Sequence, residues 1–143
     1  MILPDVNVLV YAFRREAPEH ELYAAWLSNV VAGSAELALH DVPLAGFVHI
    51  VTNPRILSRP APTEAALSFV ERLIAAPRSR WLSSGAVAWE HLADLVRGDS
   101  AIRGNLLPDA HLAAVALAHG CRFATADRGF ARFPGLDWFD PIR

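Results

Sequence analysis

Met1-Ile2-Leu3-Pro4-Asp5-Val6-Asn7-Val8-Leu9-Val10 opens the chain, and the order of residue types in it decides the fold. Met1 to Leu3 is a short apolar run that reads as a strand. Pro4 and Asp5 break it, and Val6 to Phe13 resumes with helical spacing. The same order returns near the far end: Arg122 to Thr125 reads as a strand, and Asp127 to Arg132 as a short helix. Pro108-Asp109 starts a long helix that runs to His119, with Gly120 as its C-cap. Asp5, Asp109 and Asp127 thus each stand just past a short apolar run, at a helix start.

Working outward, Pro18-Glu19-His20-Glu21 reads as a second helix start, with Leu22, Trp26 and Val30 on one face and Gly33 as its end. Glu36 to Leu39 is a strand candidate. A helix introduced by Asp41 and Pro43 follows, through Val51. Arg55 to Pro62 is a loop, and Thr63 is the expected N-cap of a helix to Ala76 whose buried face is Leu67, Val70, Leu73 and Ile74. Arg80 to Leu82 reads as a strand, Val87 to Val96 as a helix, Gly98 to Leu107 as a loop, and Asp137 to Phe139 as an edge strand. This β-α alternation over short strands predicts an α/β fold: a three-layer α/β/α sandwich around a short, mostly parallel central sheet. No repeat, low-complexity tract or linker divides residues 1–143, so one domain is expected.

Composition narrows the function. Hydrophobic residues make up 53% of the chain and mean hydropathy is +0.26, yet no apolar run approaches the roughly 18 residues of a membrane span. The surplus predicts an apolar face covered by a partner or a second copy. No export signal opens the sequence, and a lone Cys121 allows neither an intrachain disulfide nor a thiolate zinc site, so a cytoplasmic setting is expected. Net charge is −2 and all 13 basic residues are Arg. Nucleic-acid binding would therefore rest on local arginine patches, not on a global field. The six histidines show no metal spacing, since His111 and His119 lie more than two turns apart on one helix. His111 lies near the proposed site and could contact substrate, but reads as structural; Trp26, Trp81, Trp89 and Trp138 read as core or interface residues, not as base-stacking platforms.

In an open α/β sheet, sites form outside the carboxyl ends of the strands. Three carboxylates meeting there would repel one another unless a cation held them, and hard oxygen donors suit Mg²⁺ or Mn²⁺. Such a cluster points to phosphodiester chemistry. Asn7, two residues after Asp5, and Thr125, two before Asp127, add oxygen donors at the same edge.

These motifs resemble the PIN domain, and within it the toxin ribonucleases of the VapC type. The resemblance spans essentially the whole chain. It is carried by Asp5-Val6-Asn7-Val8-Leu9, Thr52-Asn53-Pro54-Arg55, Gly104-Asn105-Leu106-Leu107-Pro108-Asp109-Ala110-His111, and Thr125-Ala126-Asp127-Arg128-Gly129-Phe130. It implies an Mg²⁺- or Mn²⁺-dependent endoribonuclease, the toxin of a type II toxin–antitoxin pair. Asp5, Asp109 and Asp127 would be metal ligands, directly or through water. Asn7 and Thr125 would support them or position the attacking water. From the residues themselves, Arg14, Arg15, Arg55, Arg59, Arg103, Arg128 and Arg132 are candidates for phosphate contact, Arg103 and Arg128 flanking the acidic site in sequence, and Asn105 is a further substrate-contact candidate. A small VapB-type antitoxin whose tail enters the acidic groove, and a homodimer, come with the same resemblance.

One departure stands out. Relatives of this kind usually carry an acid early in the helix after the second strand, where this chain has Gly46 in Leu44-Ala45-Gly46-Phe47. Asp41 could reach the same region, or merely cap that helix at Pro43. The gap leaves open a non-enzymatic RNA- or partner-binding module with a weakened metal site. A DNA-directed nuclease is a further reading. Phospho-receiver domains and haloacid-dehalogenase-type phosphatases also place acids at strand ends, but both need a lysine near the phosphoryl group, and the chain has none.

Overall fold

A computed structural model describes residues 1–143. The elements run β1 (Ile2–Pro4), α1 (Val6–Phe13), α2 (His20–Ala32), β2 (Leu37–Leu39), α3 (Asp41–Val51), α4 (Thr63–Ile74), β3 (Ser79–Trp81), α5 (Gly85–Gly98), α6 (Leu107–His119), β4 (Arg122–Ala124) and β5 (Trp138–Phe139). Short 3-10 turns at Gly104–Leu106 and Arg128–Arg132 precede α6 and follow β4. The sheet has the order β3-β2-β1-β4-β5, and every strand pair is parallel.

Chain direction across the sheet reverses at β1. From there β2 and β3 build outward on one side, and β4 and β5 on the other. That makes the crevice beyond the ends of β1 and β4 the topological switch point, where parallel sheets place their sites. Period-two alternation splits each strand between two cores. Leu3, Ala38 and Phe123 face α5 and α6, while Leu37 and Leu39 face α1 to α4 with Phe47, Val51 and Tyr23. In α6 the stretch Ala113-Ala114-Val115-Ala116 is fully buried, and its small side chains let the helix lie close to both α5 and the sheet. Phe47 is 0% exposed, and Phe47→Ala would cost about 3–5 kcal/mol.

Several local expectations are corrected. In α2 the buried face is Tyr23, Leu27 and Val30, while Leu22 is 55% exposed. Glu19, at the N-cap of α2, adopts a left-handed φ of 60°. In α4, Ala66 and Leu73 are buried, whereas Leu67 and Ile74 point outward. Pro62, not Thr63, holds the N-cap position of α4, without a side-chain cap. Likewise, His40 caps α3 through its Nδ1, which accepts from the Val42 N–H, and Asp41 does not. β3 begins one residue earlier than expected, at Ser79. Trp81 and Trp89 are 52% and 60% exposed, so neither belongs to the core.

Candidate active site

Asp5 is the first residue past β1 and is 6% exposed. Its Oδ1 accepts from the Val6 N–H at 2.7 Å, which caps α1. Its Oδ2 accepts from the Thr125 hydroxyl at 2.7 Å and from the Asn7 amide at 2.9 Å. Thr125, one residue past β4, is 0% exposed and cannot touch a substrate. It also accepts from Asn7 Nδ2 at 3.2 Å and from the Asp127 N–H at 3.0 Å. The other end of the Asn7 amide accepts from the Ala126 N–H at 3.1 Å. Asn7 and Thr125 therefore tie the end of β1 to the end of β4 and fix Asp5 between them.

Asp127 spends Oδ1 on the Gly129 N–H at 2.7 Å and heads the 3-10 turn. Asp109 sits in the first turn of α6, where Pro108 supplies the expected helix start. Its carboxylate has no hydrogen-bond partner in the chain and, like Asp5 and Asp127, joins no ion pair.

The electrostatics show that the three converge. Burial pushes the Asp5 carboxyl above its ordinary range. The Thr125 and Val6 hydrogen bonds work against that, and the charges of Asp109 and Asp127 add to it. Asp109 is raised by burial and then by Asp127. Asp5 and Asp109 are thus held above the usual value first by desolvation and then by neighbouring carboxylates, Asp109 and Asp127 acting on Asp5 and Asp127 on Asp109, with no cation of the chain paired to relieve them.

Those donors fit a hard divalent ion. The three do not form a ready-made cage of three contacting ligands, so an ion held here would take one or two carboxylates directly and keep several waters. Asp109, free of other partners, would bind most directly, and Asp5 and Asp127 would bind directly or through water.

Gly46 faces the first turn of α1: a Cβ there would come within 3.0 Å of Val6 Cγ2. Asp41 is exposed. Its charge acts on His40 and is absent from the influences on Asp5 and Asp109. The carboxylate cluster is therefore Asp5, Asp109 and Asp127, without Asp41. Arg103, Asn105 and Arg128 are exposed, and neither arginine is ion-paired.

Sequence reasoning passed over His40. It is 4% exposed and donates or accepts at Nε2 with Ser84 Oγ at 3.1 Å. Its signal was available: a histidine one residue past a strand, ahead of a helix.

A sheet with this order, carrying acids past β1 and β4 and at the start of α6, defines a class. The PIN domain family matches residues 2–136, and the chain belongs to it. Within that family its similarity is to VapC proteins. Ribonuclease VapC43 of Mycobacterium tuberculosis is 41% identical over 142 residues, covering 99% of this chain and 96% of that protein. Ribonuclease VapC33 of the same organism is 34% identical over 146 residues, covering 100% and 99%. Among solved structures, VapBC2 of Rickettsia felis bound to a promoter DNA fragment superposes with a TM-score of 0.71 at 21% identity, covering 98% of each chain. Mycobacterium tuberculosis VapC20, described as a sarcin-ricin loop cleaving toxin, gives 0.66 at 14% identity over 96% of this chain and 98% of that one.

Proposed function

We propose that the chain is a divalent-metal-dependent endoribonuclease and the toxin half of a type II toxin–antitoxin pair. One observation carries the reading: three carboxylates at the switch point repel one another, and no cation of the chain is paired with them. The family and the names of its close relatives agree. A bound Mg²⁺ or Mn²⁺ would polarise the phosphodiester and supply a water of lowered pKa. Around it the chain's own groups divide the labour. Asp109 presents a free carboxylate, Asp5 is fixed by Thr125 and Val6, and Asn7 locks that pair. Arg103, Asn105 and Arg128, exposed and close in sequence to Asp109 and Asp127, are the side chains this reading assigns to the RNA phosphates.

The antitoxin has a natural seat as well. A cleft of about 820 Å³ between α1, α2, α4 and the loop before α4 has Phe13, Leu27, Val51 and Phe69 as its apolar side and Arg14, Arg15, Arg59 and Arg72 at its rim. None of the four arginines is ion-paired, and Arg14 Nε is buried without a partner. An amphipathic antitoxin segment with acidic side chains fits that chemistry, and VapBC complexes share the fold. A homodimer belongs to the same reading and would cover exposed apolar side chains such as Leu67 and Ile74 of α4. So does a cytoplasmic setting: Cys121 is a free buried thiol, and no helix is long and apolar enough to cross a membrane.

Gly46 favours one second reading, a PIN-fold module that binds RNA or a partner without cutting. The deciding experiment is incubation of total cellular RNA with the partner-free chain in Mg²⁺, Mn²⁺ or chelator, beside Asp109→Asn and with DNA as a parallel substrate. Metal-dependent RNA fragments that vanish in the variant support the nuclease. A folded chain that cuts nothing supports the module, and cleavage of DNA alone supports a DNA nuclease.

A further inference from the structure

One strand over from Asp5, a row of rings runs from buried His40 through His111 to exposed Trp89, and the metal chemistry leaves it unused. β1 and β2 pair with Ile2 opposite Leu37, so continuing the register sets Asp5 beside His40, one strand away. Neighbouring strands lie about 4.8 Å apart, so the two residues share one edge of the sheet. His40 is fixed there. Its Nδ1 accepts from the Val42 N–H, which leaves the proton on Nε2 to be donated to Ser84 Oγ. The His111 ring, two residues beyond Asp109 on α6, lies 6.3 Å from that of His40. The Trp89 ring of α5 lies 5.4 Å from His111, tilted at 48°. Trp89 is 60% exposed, and Val42 and Val87 are 44% and 53% exposed.

An indole left mostly in water, on α5 where it packs against α6, and backed by the tilted His111 imidazole, offers an open π-face. We propose that Trp89 and His111 form a stacking platform for an unpaired nucleobase of the RNA that crosses Asp5, Asp109 and Asp127. The proposal rests on the ribonuclease reading and adds a specificity element to it. RNA is commonly read through splayed single-stranded bases laid on aromatic or histidine rings. Such stacking tolerates any base, because every base has a π-face. The platform thus selects unpaired over paired RNA near the cut, while phosphate contacts fall to the exposed arginines.

The test compares wild type, Trp89→Ala and Trp89→Phe on a short single-stranded RNA containing the mapped cut site. Trp89→Ala should raise KM about tenfold or more, the range expected for losing one stacked base, and leave kcat within about twofold. Trp89→Phe should restore most of the loss. An abasic residue at the stacked nucleotide should erase the difference between wild type and Trp89→Ala, which a structural role would not do. Anisotropy of the labelled RNA in chelator reads the same platform without cleavage. If wild type binds but does not cut, the nuclease reading fails while stacking is still scored. Equal KM and equal binding for Trp89→Ala overturn the platform alone. A shift from dimer to monomer in sedimentation on Trp89→Ala also overturns it, by giving this face to a second copy.

Discussion

Thr125→Val tests how Asp5 is held. The substitution keeps shape and volume in a site that is 0% exposed but deletes the hydroxyl. Three contacts go: the bond donated to Asp5 Oδ2, and those accepted from Asn7 and the Asp127 N–H. A hydrogen bond to a charged group is worth about 1.5–3 kcal/mol, and leaving the Asp127 N–H without its partner adds about 1 kcal/mol. The extra buried methyl returns about 0.8 kcal/mol. The expected net loss is about 2–3 kcal/mol, read by urea denaturation in chelator. The loss also carries a pH signature. Burial raises the Asp5 carboxyl in the fold, and the Thr125 bond opposes that rise. Because the folded pKa lies above the unfolded one, the folded chain binds more protons as pH falls through it. Ionised Asp5 therefore weakens the fold above that pKa, and the weakening fades as pH falls. Losing the hydroxyl lifts the carboxyl further, so the Val penalty should be largest above the Asp5 transition, located by carboxyl NMR, and shrink below it. Thr125→Ser keeps the hydroxyl and loses only a buried methyl, so it should lose about 1 kcal/mol at every pH. If Thr125→Val matched Thr125→Ser in size and in pH dependence, the reasoning about Asp5 would be refuted.

Asp109→Asn should cut RNA cleavage at least about 100-fold, by analogy with removing one transition-state-stabilising group, yet unfold in urea near pH 7 no more easily than wild type. Its raised carboxyl makes the charge a burden to the fold above the folded pKa, so a clearly less stable variant would contradict the assignment. Adding Mn²⁺ or Mg²⁺ should raise the wild-type Tm, with about 2.7 kcal/mol expected at a hundredfold excess over Kd, and should leave Asp109→Asn nearly unmoved. An equal rise in both would place the ion elsewhere. The double substitution Arg59→Glu with Arg72→Glu, both at exposed positions of the cleft rim, should weaken antitoxin binding by tenfold or more in calorimetry while RNA cleavage persists. Unchanged affinity would remove the cleft from the antitoxin's path.

The positions of the three aspartates at strand ends and helix starts were more legible in the sequence than the packing of the helices was. Asp5, Asp109 and Asp127 could be read because strand ends and helix starts leave local marks: Pro4 after an apolar run, Pro108 before Asp109, Gly120 closing α6. Such marks fix the edge of the sheet on which a residue falls, and topology does the rest. The roles of Asn7 and Thr125 were less legible, because their bonds span 118 to 120 residues of sequence and no local pattern encodes them. Helix faces failed for a related reason. Leu22, Leu67 and Ile74 fit an apolar stripe. Which side of a stripe is buried depends on where the neighbouring layer lies, and a partner can cover the other side. The exposed Trp81 and Trp89 make the same point: periodicity reports apolar spacing, not the presence of a wall to pack against.

Gly46 carries the remaining tension between a complete and a weakened site. A fourth carboxylate near that place would add to the charges of Asp109 and Asp127 that already raise Asp5. Asp5 draws two neutral donors, from Thr125 and Asn7, onto Oδ2, while Asp109 keeps both oxygens free of the chain. A site built this way favours an ion that retains its waters, because fewer protein oxygens replace them. It follows that metal affinity in this chain should depend on Asp109 more steeply than on Asp5 or Asp127. Calorimetric titration of Mn²⁺ into the three Asp→Asn variants would rank them, and Asp109→Asn ranking last in its effect would overturn this account of how three carboxylates suffice.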